Sequence, residues 1–242
     1  MEISKLTPNQ KYLRTRILEV SHEAHASHIG SCVSAIDIID AIFEVKKKDE
    51  RFILSNGHAG VALYIVLEKR GLLEKPSLSK FHVHPDRDAE VGIDVSTGSL
   101  GQGLPIAVGM AIADRKKRVF VMISDGESAE GSIWESLRVA DDQKLSNLYI
   151  LVNANGWGAY DAVSTPRLIK RFQGFVEGPV SIIDGHNSEE ILKALEEDNT
   201  QGPHVIIANT SSSEFEFLKD LDAHYYVMTD EDYNHGMEIL KN

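Results

Sequence analysis

Two short runs of consecutive apolar residues, 119–123 and 148–152, dominate the hydropathy pattern of the chain. Each is too short and too uniformly apolar for an amphipathic helix and reads as a buried parallel strand. Between them, 130–144 spaces Ile133, Trp134, Leu137, Val139 and Ala140 at roughly helical intervals. Strand, helix and strand joined by a right-handed crossover run parallel. The first run ends in Ser124-Asp125-Gly126 and the second in Asn153-Ala154-Asn155-Gly156. Asp125 and Asn155 then share the carboxyl edge of the sheet, where open α/β sheets bind ligands.

The same pattern extends to both sides. An amphipathic helix is expected over 8–24, carrying Tyr12, Leu13, Ile17, Leu18 and Val20. His22, His25 and His28 follow at intervals of three and would share a face of a continuous helix. Gly30 and Ser31 instead end that helix near His28, which argues against a metal site there. A second helix is expected over 34–44, with Ser34 as N-cap and Asp37 as a first-turn charge. A short strand, a turn at Asn56-Gly57-His58 and a helix ending before Gly71 come next. The stretch 75–103 is irregular and long enough to be functional. Helices are expected at 102–117, 167–175 and 188–197, the last capped by the turn Asp184-Gly185-His186-Asn187. Strands are expected at 179–183 and 204–209, with a loop over 159–166. The sum is a three-layer α/β domain: an open, mostly parallel sheet with helices on both faces. No internal repeat or long linker divides 1–242, so one domain is expected.

Composition narrows the class. A formal net charge of −12 opposes nonspecific nucleic-acid binding. The single cysteine, Cys32, permits no intramolecular disulfide, which suits a reducing compartment, and it stands in no catalytic motif. No signal-peptide pattern opens the chain and no apolar run approaches a membrane span. A cytoplasmic location without membrane attachment is expected.

Asp125 and Asn155 suit a hard cation. Mg²⁺ takes about six oxygens, often from one or two carboxylates plus phosphate oxygens. A backbone carbonyl in the following turn would add a third protein ligand. Taken alone, Asp-Gly and Asn-Gly are also ordinary turn dipeptides.

The wider stretch resembles the thiamine diphosphate (ThDP) signature of transketolase-like enzymes. Asp125-Gly126, Glu130-Gly131, Trp134-Glu135 and Asn155 fall at the family's spacing, with Ser124 where the family usually has Gly. The resemblance implies Asp125, Asn155 and the Trp157 carbonyl as metal ligands, for Mg²⁺ or for Ca²⁺ or Mn²⁺ in its place. Further likeness lies in Ser55-x-Gly57-His58 with Tyr64, and in the run from His84-Pro85-Asp86 to Ser96-Thr97-Gly98-Ser99-Leu100-Gly101-Gln102-Gly103-Leu104. Around His28, Ser27 and Ile29 replace family residues while Gly30 matches. The resemblance implies His28, His58, His84 and His235 as catalytic or substrate-facing histidines. It implies His58, Gly98, Leu100, Gly126, Glu130 and Asn155 around the cofactor. His235, in Asn234-His235-Gly236, rests on a bare dipeptide that also reads as a solvated tail. Departures stand at Asp88-Ala89-Glu90 and over 211–217.

The likeness covers nearly the whole chain but only the first third of a full transketolase. The pyrimidine-binding domain, with the glutamate that activates the cofactor, and the C-terminal domain have no counterpart here. The resemblance therefore implies the N-terminal subunit of a split transketolase, with a separate C-terminal subunit carrying the pyrimidine-binding domain, in an α2β2 heterotetramer. The implied reaction moves a two-carbon ketol unit from a ketose phosphate to an aldose phosphate, as in the pentose phosphate pathway. The alternatives are another ThDP-dependent synthase or transferase, or a non-catalytic cofactor-binding paralogue.

Overall fold

The computed structural model describes residues 5–197 and 200–241 of the 242-residue chain. Helix α1 (Pro8–Glu23) opens on a capping box: Thr7 accepts from Gln10 N, and the Gln10 side chain accepts from Thr7 N. The helix stops at Glu23, ahead of His25 and His28, whose φ angles are 47° and 64°. These left-handed residues turn the chain, so His22, His25 and His28 do not share a helical face. Helix α2 (Ile29–Val45) begins directly after His28. Ser34 is thus interior, not the expected N-cap, and its hydroxyl donates to Ser31 O at 3.1 Å. Asp37 likewise lies well inside the helix and is buried.

The chain continues through β1 (Arg51–Leu54), α3 (Gly60–Lys69), the short α4 (Leu78–Phe81) and α5 (Gly103–Ala113). Then follow β2 (Val119–Ser124), α6 (Gly131–Asp142), β3 (Leu148–Ala154), α7 (Thr165–Gln173), β4 (Val180–Asp184), α8 (Ser188–Glu196), β5 (His204–Asn209) and α9 (Asp230–Lys241). All strand pairings are parallel, in the order β1-β2-β3-β5-β4. β2 and β3 are direct neighbours, with Ser124 opposite Asn153. Their carboxyl ends therefore emerge side by side.

Every residue of β2 and β3 is buried, which explains their uninterrupted apolar runs. Phe120, Met122, Tyr149, Leu151 and Ile206 enter one core with α1, α2, α3 and α8. Val121, Ile123, Ile150, Val152 and Ile207 enter the other with α5, α6 and α7. Alternate residues serve opposite layers, as pleating requires. Each such buried aliphatic side chain contributes about 1.5–3 kcal/mol. Helix α9 packs on α1, where Gly236 lies against Leu18. No helix among the described residues is long and apolar enough to cross a membrane.

One buried polar cluster crosses the first core. The Arg14 guanidinium on α1 donates to both Asp37 oxygens (3.1 and 2.8 Å) and, through Nε, to Glu214 Oε1 at 2.6 Å. His186 Nδ1 lies 2.8 Å from Asp37 Oδ2, and His186 Nε2 accepts from Ser211 N at 2.9 Å. The cluster fastens the turn before α8, which Asn187 caps, and the segment after β5 to the helices behind the sheet.

Candidate active site

Four strand ends converge at the carboxyl edge. β1 runs into Ser55-Asn56-Gly57-His58 and β2 into the 3₁₀ turn Gly126–Ala129. β3 runs into Asn155-Gly156-Trp157, and β5 into Thr210 and three serines. The loop before α5 threads between them. A Cβ at Gly57 would stand 2.7 Å from Gly98 N and 2.8 Å from Thr97 Oγ1, so the two loops touch only because residue 57 has no side chain.

Asp125 sits at the centre of the edge and is buried. Its Oδ1 accepts from Gly126 N at 2.8 Å and its Oδ2 from Gly156 N at 2.7 Å. One carboxylate therefore bridges the ends of β2 and β3. Burial pushes its pKa up to about 7, against the backbone donors. No basic side chain pairs with it among the described residues. Beside it, Asn155 Oδ1 accepts from Trp157 N at 2.9 Å. A buried carboxylate with no cationic partner, next to an amide oxygen and the turn at Trp157, is the donor set a hard cation takes. Among the described residues no three His, Cys, Asp or Glu side chains form a metal cluster. The expected set contains only one such side chain, so it lies outside that description.

The Ser124 hydroxyl accepts from Glu127 N at 3.0 Å. It caps the turn instead of crowding an anion. Glu127 is fully buried and its carboxyl is shifted upward by desolvation. It accepts from Ser55 Oγ (2.5 Å) and Gly101 N (2.6 Å). Ser55 Oγ in turn accepts from Gly103 N, the first residue of α5, at 3.1 Å. The start of α5 is thereby answered from within the protein, by Ser55 and the carboxylate behind it, rather than left for a bound anion. Glu130, expected beside the cofactor, is exposed, with its Cβ packed toward Gly101. The 3₁₀ turn directs Glu127 inward and Glu130 outward.

His28, His58 and His84 come together as the motifs imply. Ring centroids are 5.5 Å apart for His28–His58 and 6.0 Å for His28–His84. The fourth histidine of the group is His224, at 4.7 Å from His28 and 5.2 Å from His58. His235 is not part of it. It lies on the exposed side of α9, the helix packed on α1, and makes none of these ring contacts. Burial, then His224 and His84, lowers the His28 pKa to about 4. Burial, then His224, His28 and His84, lowers that of His58 to about 3. Burial also lowers that of His224. The local signal for His224 is Ala223-His224-Tyr225-Tyr226, a histidine followed by tyrosine where the His-Gly pattern looks for glycine.

A cleft lined by His58, Leu100, Gly126, Asn155, Trp157 and His224 runs from the histidines to the ends of β2 and β3. It adjoins a cavity of about 500 Å³ bounded by Ser31, Asn155, Trp157, Ser211, Ser212, Ser213 and His224. Gly98 lines neither; it has φ 129°, with the His84 ring where a Cβ would go. Asn153, buried below, donates to Ser34 Oγ at 3.0 Å and accepts from Thr210.

Residues 9–213 match the family model described as transketolase, thiamine diphosphate binding domain. The chain belongs to this family. It is 34% identical over 226 residues to the 6-deoxy-6-sulfo-D-fructose transketolase subunit SqwG of Clostridium sp. (strain MSTE9), covering 82% of each chain. It is 33% identical over 233 residues to the transketolase of Homo sapiens, covering 86% of this chain. There it spans 37% of the relative's length. In the crystal structure of transketolase from Campylobacter jejuni the match covers 96% of this chain and 42% of that one, with TM-score 0.80 at 24% identity. That structural likeness carries the parallel α/β fold.

Proposed function

We propose that the chain is the diphosphate-binding subunit of a two-part transketolase, transferring a two-carbon ketol unit from a ketose phosphate to an aldose phosphate. The observation that carries this reading is Asp125: a buried carboxylate bridging two parallel strand ends, without a basic partner among the described residues, beside Asn155 and a group of four histidines. Asp125, Asn155 and the Trp157 carbonyl would hold Mg²⁺, and through it the diphosphate of ThDP. His58, Leu100 and Gly126 line the cleft where the cofactor would lie. When bound, ThDP supplies a nucleophilic carbon toward a carbonyl.

The chain's own residues bind, orient and exchange protons. With pKa values of about 4 and 3, His28 and His58 are neutral near pH 7. Neutral imidazoles accept a proton or a sugar hydroxyl on one nitrogen and donate on the other. Among the described residues His28 Nδ1 is buried without a hydrogen-bond partner, a position suited to a substrate hydroxyl. His84 and His224 complete the wall.

The activating glutamate is expected from a separate C-terminal subunit with the pyrimidine-binding domain, in an α2β2 assembly. Helix α5 offers a face for it: Ile106 and Ile112 are exposed, and Gly109 has open space where a Cβ would project. The relative named for a sulfonated sugar favours a second reading, in which the donor is not a common sugar phosphate.

The test is thermal stability with ThDP and Mg²⁺, for this chain alone and mixed with its partner subunit. The mixture should gain more, and Asp125→Asn should abolish the gain. Equal shifts, or a shift that survives the substitution, reject the reading. A donor panel on the reconstituted complex then separates the two readings.

A further inference from the structure

Tyr225 and Tyr226 are adjacent and have opposite surroundings. Tyr226 is tied down: its hydroxyl donates to Asp232 Oδ2 at 2.7 Å, and its ring lies 5.9 Å from Phe217. The same Asp232 oxygen accepts from Thr229 N and Thr229 Oγ1, fastening the segment to the first turn of α9. On the other side, Ala223 is buried where the chain crosses Gly30. The backbone through Tyr225 is therefore held at both ends. Its side chain is left 64% exposed, the most exposed large apolar or aromatic residue among those described.

That exposed ring stands against the histidine group. Its centroid is 4.6 Å from His224, nearly perpendicular, and 5.5 Å from His28. It lines neither the cleft between His58 and Asn155 nor the neighbouring cavity. Tyr225 is thus a rim residue: outside the cleft, but beside His28 and His224. An aromatic face presents little entropy to lose and packs well on the C–H groups of a polyhydroxylated chain.

From this we infer that Tyr225 is a specificity-determining residue, its ring stacking on the carbon chain of the sugar as that chain reaches His28 and His224. The inference rests on the two-carbon transfer proposed above. The ring, which stands against His224 and His28, carries the contact.

The test uses the reconstituted two-subunit enzyme with ThDP and Mg²⁺, and three donors: xylulose 5-phosphate, fructose 6-phosphate and 6-deoxy-6-sulfofructose, each with ribose 5-phosphate as acceptor. Tyr225→Ala should raise KM for the donor the wild type uses by about three- to tenfold, the worth of one aromatic contact. Its kcat should stay within about twofold, as expected when uniform binding is lost. Tyr225→Phe should retain the wild-type KM. ThDP-induced stabilisation should be the same in all three proteins. An unchanged KM in Tyr225→Ala, or a Tyr225→Phe that behaves like it, overturns the inference. So does loss of subunit assembly by sedimentation, which would assign Tyr225 to the interface. Transfer from none of the donors by the wild type overturns the transferase reading, and this inference with it.

Discussion

His28 and His224 meet edge to face, with ring centroids 4.7 Å apart, although nearly the whole chain separates them in sequence. One is the left-handed residue that launches α2, and the other ends the 3₁₀ turn Asp220–His224. In this group His28 and His58 are buried and His224 is half-buried. The consequence is a set of imidazoles that resist protonation.

This gives the first prediction. In the unfolded chain these histidines titrate near 6.5. In the folded chain His28 and His58 stay neutral down to about 4 and 3. Below pH 6.5 the unfolded state binds more protons, so the stability they contribute above that pH is lost as pH falls toward 3. His58→Asn cannot take up that proton. Thermal melts should show a steeper fall in Tm between pH 6.5 and pH 4 for the wild type than for His58→Asn. Parallel curves would mean that the buried histidine is not the group responsible.

The sheet and its edge were legible because buried parallel strands leave an unbroken apolar run, and because close loop packing demands glycine at 57 and 126. The juxtaposition of Asp125 and Asn155 was legible for the same reason: adjacent parallel strands in register bring their ends together without help from distant sequence. What escaped depends on long-range or very local geometry. His224 joins His28 through the packing of the 3₁₀ turn over Gly30, which no local pattern marks, whereas the His-Gly dipeptide points to His235. Glu127 and Glu130 share one turn, and only its 3₁₀ winding decides which faces inward. Gly30 and Ser31 look like helix breakers in sequence. They lie in the first turn of α2, and Ala223 and Ser212 pack against Gly30.

Glu127 holds three loops at once, which makes it a sensitive position. Glu127→Ala leaves the Gly101 amide and the Ser55 hydroxyl short of a buried acceptor. Each buried group left without its partner costs about 1–3 kcal/mol, so the variant should lose about 2–5 kcal/mol in urea unfolding. Glu127→Gln keeps an acceptor oxygen and should lose less. The 98–103 amides should exchange faster in Glu127→Ala than in the wild type. Protection unchanged there would contradict the bracing role given to this carboxylate.

Cys32 gives a simple check on the first core. It is buried, its thiol lies 3.9 Å from His58 O, and burial pushes its pKa up to about 12. The thiolate is the reactive form. An aromatic disulfide reagent at pH 8 should therefore label native protein only at the rate of unfolding, and should label it at once in strong denaturant. Rapid native labelling would show that α2 opens easily from α3.

Arg14 and Asp37 allow the buried polar cluster to be divided into its parts. Both side chains are almost wholly inaccessible, and Arg14 also holds Glu214. Asp37→Ala takes the carboxylate from both terminal nitrogens of the Arg14 guanidinium, leaving its Nε on Glu214, and removes the carboxylate beside His186. Breaking a buried pair from one side costs about 3–5 kcal/mol. Arg14→Met together with Asp37→Asn removes one charge of each sign and leaves Glu214 buried without its partner. Adding Glu214→Gln neutralises the third member. The triple variant should recover a large part of the loss seen in Asp37→Ala, because replacing a whole buried charge cluster is far less costly than halving it. Asp37→Asn keeps a side-chain oxygen within reach of His186, so the Ser211 segment at the cavity wall should stay in place. Chemical denaturation of the single, double and triple variants measures this directly. Losses that simply add would show that the four groups act independently, and that the segment after β5 is held by its apolar residues, Phe215 and Leu218, alone.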